Sequence, residues 1–170
     1  MTVRILGAFL IFIGCSGFGF LLSAAYKREV VTLKSLIEAL YIMESELLYR
    51  KTPLPQLCHY ISVMQTGVIK TYFICLENEL QQQIQPDASS CAVLALSKIP
   101  QMPKSSKEII QQVAKTIGEF DIHGQLTGIQ AVRSEAQLRL DQMRKEQEQR
   151  TKNYRTLGVC AGAAIIILFV

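Results

Sequence analysis

Two stretches of this chain carry no charge at all. Ile5 to Tyr26 reads ILGAFLIFIGCSGFGFLLSAAY, and Thr156 to Val170 reads TLGVCAGAAIIILFV. As a helix at about 1.5 Å per residue the first run spans roughly 33 Å, matching a hydrocarbon core of about 30 Å. Ser23-Ala24-Ala25 has the small residues of a leader-peptidase site, but the apolar run is longer than the roughly 7–15 residues of a signal core. A membrane anchor over residues 1–26 is therefore the expectation. The second run, 156–170, would reach only about 22 Å. Local thinning of the bilayer and snorkelling by Arg155 cover the deficit, so it too is expected to be a transmembrane segment. Gly158 and Gly162 form a GxxxG in it, which lets another helix approach closely, and are the candidates for packing within the bilayer.

These runs explain an unusual composition. Apolar residues make up 49% of the chain and charged residues 19%, against roughly 25% charge in an average globular protein. The balance argues against a disordered chain, a multidomain enzyme and a freely soluble protein. Residues 27–155 remain, enough for one core. Only Arg4 precedes the first run. Lys27, Arg28 and Lys34 follow it, and Arg144, Lys145, Arg150, Lys152 and Arg155 precede the second. By the positive-inside rule the middle faces the cytoplasm. The cysteine count is five, an odd number without a CxxC, which speaks against a disulfide framework and suits a reducing compartment.

The middle reads as helix throughout. Leu33, Leu36, Ile37, Leu40, Met43 and Leu47 recur at spacings of three and four, and no Gly or Pro interrupts from Leu22 to Thr52. The first anchor is thus expected to continue into the cytoplasm as one long helix. Thr52 can cap a second helix with Pro53 in its first turn, carrying Leu54, Leu57, Ile61 and Met64 and stopped by Gly67. A third holds Ile69, Tyr72, Phe73, Leu76 and Leu80. Pro86-Asp87 marks a turn before a short fourth, about Ser90 to Lys98, with Val93, Leu94 and Leu96. Ser105 and Glu108 fit a capping box opening a fifth helix with Ile109, Val113 and Ile117, broken by Gly118. Asp121 can cap a sixth, with Leu126, Ile129, Val132, Ala136, Leu140 and Met143. The polar KEQEQRTKN of 145–153 reads as a solvated stem into the second run. The fold class expected is all-α, a cytoplasmic bundle of about six helices flanked by two transmembrane helices.

Catalytic chemistry finds no foothold. There is no GxxxxGK[ST] for nucleotide phosphates, and Gly14, Gly17 and Gly19 are in the wrong order for a dinucleotide fingerprint. The two histidines, His59 and His123, belong to no HxxxH or HExxH, so no metal or other cofactor is expected. No GxSxG is present. Glu44 and Glu46 lie about 200° apart on a helix and are poorly placed to act on one substrate, while Glu46 has the i,i+4 spacing to pair with Arg50. The basic stem (Arg139, Arg144, Lys145, Arg150, Lys152, Arg155) alternates with Asp141, Glu146 and Glu148 and has Tyr154 as its one aromatic. Beside an anchor, that pattern points to lipid headgroups and topology rather than nucleic acid.

Two blocks carry a resemblance. ESELLYRKTPLP, Glu44 to Pro55, and IGEFDIHGQ, Ile117 to Gln125, resemble elements of the stage III sporulation protein AB family of endospore-forming bacteria. The second block is similar to that family's LGxxDxxxQ at Gly118, Asp121 and Gln125, with Ile117 in place of leucine. An anchor at each end of about 130 helical residues completes the likeness, which covers essentially the whole chain. The family is similar to the F-type platform proteins of type II secretion and type IV pilus machines. The resemblance implies a non-enzymatic membrane component of the channel joining mother cell and forespore, in the mother-cell or outer forespore membrane. Its implied partners are the cognate secretion-type ATPase, stage III sporulation protein AA, and the other proteins of that operon. Candidate contact residues are Glu44, Glu46, Arg50 and Lys51 in the first block and Glu119 and Asp121 in the second. For each the plainer role is a solvated face or a cap. A sensor or adaptor that dimerises in parallel through Leu33, Leu40 and Leu47 is the alternative from a different class.

Overall fold

A computed structural model describes the backbone of residues 2–50, 52–82, 85–119 and 122–169, and the side chains of residues 25–50, 52–82, 85–117 and 123–147. Among the described residues there are six helices and no strand: α1 (Thr2–Tyr49), α2 (Leu54–Met64), α3 (Gly67–Gln82), α4 (Ala88–Ser97), α5 (Lys104–Glu119) and α6 (Ile122–Phe169). The six include the flanks, because α1 and α6 are each 48 residues long and contain the uncharged runs as well as bundle residues. Among residues with described side chains, no helix is long and apolar enough to cross a membrane. The side chains of the two uncharged runs, Ala25 and Tyr26 apart, lie outside that set.

The 3–4 stripe of α1 forms the spine of the core. Leu33, Leu36, Leu40 and Met43 are each 2% exposed or less, and every such side chain removed from water stabilises the fold by about 1.5–3 kcal/mol. Leu57 and Ile61 of α2, Ile69, Phe73 and Leu76 of α3, Ile109 and Val113 of α5, and Ile129, Val132, Ala136 and Leu140 of α6 close around it. The alternating helix directions follow from short connections and from cross-helix pairs. Glu108 of α5 meets Arg139 of α6, and Gln112 meets Glu135, so these two helices run antiparallel. Tyr26 of α1 meets Met143 of α6, and Glu44 meets Gln130, so these two are antiparallel as well. Beyond Tyr26 and Met143, α1 continues back to Thr2 and α6 runs on to Phe169; the two stems leave the bundle at the same end.

Several local expectations are corrected. Gly67 does not stop α2; α2 ends at Met64, and Gly67 is the first residue of α3, with φ +62°. Only two residues connect the helices, and the chain turns back by a left-handed backbone that costs glycine nothing. Thr52 is not a cap. Pro53 holds the N-cap position of α2 without a side-chain bond, and the Thr52 hydroxyl donates to Glu46 instead. Helix α4 starts two residues early, at Ala88, capped by Asp87, whose carboxylate accepts from the Ser90 N–H at 3.4 Å. Its buried face is Cys91, Ala92, Ala95 and Leu96, which leaves Val93 exposed. The Ser105–Glu108 capping box does not form, since Glu108 turns to Arg139. Gly118 does not break α5, which runs on to Glu119, because a glycine inside a helix costs only about 1 kcal/mol.

Candidate functional site

Five polar clusters tie the bundle together. At the seam of α1 and α6, Gln130 donates from Nε2 to Glu44 Oε1 at 2.7 Å. Arg133 Nε lies 2.9 Å from Glu44 Oε2 as an ion pair whose N–H direction is not that of a hydrogen bond. The Arg133 guanidinium also sits 5.7 Å from the centre of the Tyr41 ring. At the far end of α1, Glu46 accepts from Arg50 at 3.3 Å and from the Thr52 hydroxyl at 2.8 Å, holding the turn into α2.

Glu44 and Glu46 thus diverge as two residues apart on a helix must. Both are committed to partners inside the protein rather than to one shared site. Arg50 is the more available of the three, exposed and, among the described residues, held by the i,i+4 pair with Glu46. Lys51, Asp121 and the side chain of Glu119 lie outside the described residues, as do Gly158 and Gly162 apart from their helical backbone.

Between α2 and α3, His59 Nδ1 lies 3.2 Å from the Glu77 carboxylate, which also accepts from Gln81. Between α3 and the end of α4, the buried Glu79 pairs with the exposed Lys98 ammonium, and that hydrogen bond raises the Lys98 pKa. A buried carboxylate left without this partner would be costly, so the pair holds α4 against α3.

The fifth cluster lies at the end from which the stems leave. Glu29 of α1 accepts the Ser105 N–H of α5 at 3.3 Å and so performs, across 76 residues of sequence, the task expected of a local capping box. Arg139 of α6 donates to Glu108 at 2.7 Å and to the Ser105 carbonyl at 3.4 Å. One turn further along, the Tyr26 hydroxyl donates to the Met143 carbonyl at 2.7 Å. Glu29, Tyr26 and Arg139 were not singled out as functional candidates by the sequence. Their partners are too remote in the chain for any spacing rule to announce them.

Two of the three described thiols are held protonated by burial. Cys58, Cys75 and Cys91 are free. Burial, with Glu77 nearby, pushes the Cys58 thiol up to about 12, and burial with Glu79 and Asp87 raises Cys91. A thiol held protonated is a poor nucleophile and a poor metal ligand. Burial also raises the Tyr72 phenol. Among the described residues no three His, Cys, Asp or Glu side chains converge as a metal site would require. What these clusters do chemically is hold helices in place and present surface.

Comparison with known proteins agrees with this geometry. The family model for stage III sporulation protein AB matches residues 4–170. Stage III sporulation protein AB of Bacillus subtilis (strain 168) is 24% identical over 169 residues, covering 98% of both chains. A solved structure of a stage III sporulation protein AB superposes with a TM-score of 0.66 at 21% identity, covering 72% of this chain and 98% of that one, which shows a shared fold. The match of the family model over nearly the whole length, together with the six-helix bundle, places this chain in the stage III sporulation protein AB family.

Proposed function

We propose that this protein is a membrane platform of the channel apparatus between mother cell and forespore. In this reading 1–26 and 156–170 cross the membrane, residues 27–155 face the cytoplasm, and the bundle docks a secretion-type ATPase of the kind named stage III sporulation protein AA. The observation that carries the reading is the antiparallel pairing of α1 and α6. It sends both stems, with their uncharged runs, out of one end of the bundle. A body tethered twice at one end has little freedom to tilt, which is what a base for a force-generating motor needs. Family membership supports a role in sporulation. The charges offered to the partner are Arg50, with Glu44 and Glu46 behind it, and Lys51, Glu119 and Asp121 of the two matched blocks.

The adaptor alternative loses its seam. Leu33 and Leu40 are buried in the core of the single chain, and Leu47 is packed against it, so they are not available to a second copy without unfolding the first. Capture of the cognate ATPase by the full chain, and loss of that capture in an Arg50→Glu/Lys51→Glu double variant, is the expected result. An ATPase that ignores the protein, combined with normal sporulation in a deletion strain, would defeat the reading.

A further inference from the structure

The stem end of the bundle gathers cations from three helices that the sequence keeps far apart. Lys27 and Arg28 follow Tyr26 on α1, and Arg144 and Lys145 follow Met143 on α6; Tyr26 and Met143 are hydrogen-bonded to each other. Lys104 opens α5 next to Ser105, whose N–H is held by Glu29, three residues along α1 from that contact. At 1.5 Å per residue, all five cations lie within about one helical turn of the same level. All five are exposed, and none is in an ion pair among the described residues.

The carboxylates at this level offset only part of that charge. Glu108 is paired with Arg139, while Glu29, held by the neutral Ser105 N–H, and the exposed Asp141 and Glu146 are outnumbered by the five cations. Lys104 is also fixed in place. The turn before it is pinned by Ile99 and Met102, both buried, with the Met102 N–H bonded to the Ile99 carbonyl at 3.1 Å. Lys104 is therefore presented by a rigid corner of the fold rather than by a loose loop.

We propose that this foot of the bundle, with Lys104 as the contribution of α5 to the collar, is a docking surface for anionic lipid headgroups. The proposal rests on the two-anchor reading, which would place the foot at a bilayer surface. It adds that the folded domain itself, and not only its stems, lies against that surface. Cations near an anionic leaflet are attracted within a Debye length, and a collar drawn from three helices would add a further hold on the tilt of the bundle to that of the two stems.

The chain contains no tryptophan, so a single introduced one reports on its own surroundings. Full-length Gln101→Trp, at the exposed corner beside Lys104, is reconstituted into vesicles carrying a headgroup nitroxide. The vesicles are either phosphatidylcholine alone or a mixture with phosphatidylglycerol. Quenching is expected to be ~2-fold or more stronger in the anionic vesicles. Adding Lys104→Glu, or raising salt to roughly 0.5 M, should remove the difference. Lys115→Trp, some ten residues further along α5, should be quenched equally weakly in both. Equal quenching of the Gln101→Trp protein in the two lipids overturns the proposal and hands the collar to an acidic protein partner, while leaving the anchors standing. Release of the chain from the vesicles by alkaline extraction overturns the anchor reading and this proposal together.

Discussion

The carboxylate of Glu29 caps the first turn of a helix that begins 76 residues later, accepting the Ser105 N–H at 3.3 Å. Arg139 grips the same turn through the Ser105 carbonyl and Glu108. One corner of the bundle thus locks α1, α5 and α6 at the level where the two stems depart. Its stability should be felt both in folding and in the angle of the stems.

Arg139→Ala should lower stability by about 1–2 kcal/mol. It removes a charge-assisted hydrogen bond and a carbonyl contact, and the partial exposure of the pair discounts the upper end of the range. Arg139→Lys should recover only part of the loss, because the ammonium keeps the charge and its N–H donors but is more strongly hydrated and sits on a shorter side chain. Glu29→Ala should cost about 1 kcal/mol through the lost cap. Chemical denaturation of the full chain in detergent, followed by circular dichroism, measures all three. An Arg139→Ala protein as stable as its parent would remove the latch from the account.

Leu40→Ala should cost about 2–5 kcal/mol, since Leu40 is 1% exposed in the centre of the α1 stripe. Leu48→Ala, on the same helix but about half exposed, should change stability by less than about 0.5 kcal/mol. The same pair separates two views of α1. If the stripe were a dimer seam, Leu40→Ala would shift the sedimentation coefficient. In a monomer core it lowers the unfolding midpoint and leaves sedimentation unchanged.

Helices α5 and α6 approach closely at Gly128. A Cβ there would fall 2.0 Å from Thr116 Cγ2, and Thr116 is β-branched and anchored by its hydroxyl to the Gln112 carbonyl. Gly128→Ala should therefore destabilise by about 1–2 kcal/mol, even though alanine is the better helix former by about 1 kcal/mol. Thr116→Ser removes the offending methyl and keeps the hydroxyl. The double variant Gly128→Ala/Thr116→Ser should regain most of the loss, and strictly additive effects in that cycle would show that the contact is not the cause.

The Cys58 thiol gives the bundle an alkaline weakness. Its pKa rises to about 12 in the folded protein, against about 8.5 in an unfolded chain. A raised thiol pKa favours the protonated folded form. This contribution is fully present below the unfolded pKa, and above it the unfolded chain gains by ionising first. Stability should fall as pH climbs from about 8.5 towards 12, and Cys58→Ala should flatten that decline while lowering stability at neutral pH. At pH 8 a small thiol reagent should modify the partly exposed Cys75 before the buried Cys58 and Cys91. Fast modification of Cys58 in the native protein would contradict its burial.

The amino-acid sequence by itself determined the helical class, the unbroken α1 and the residues of its buried stripe, because hydrophobic periodicity is a local property that a chain carries with it. Leu33, Leu36, Leu40 and Met43 were legible for that reason, and so was the divergence of Glu44 and Glu46. It also supplied the motif blocks that point to the family. Helix ends were less legible at Thr52, Gly67 and Ser105, where a residue suited to capping or stopping had a better use elsewhere in the fold. Only the tertiary structure decided that Glu44 belongs to Gln130 and Arg133, that Glu29 caps α5, and that Tyr26 meets Met143. Such pairings join residues separated by 76 to 117 positions, and a sequence pattern records which face of a helix is buried but not which helix covers it.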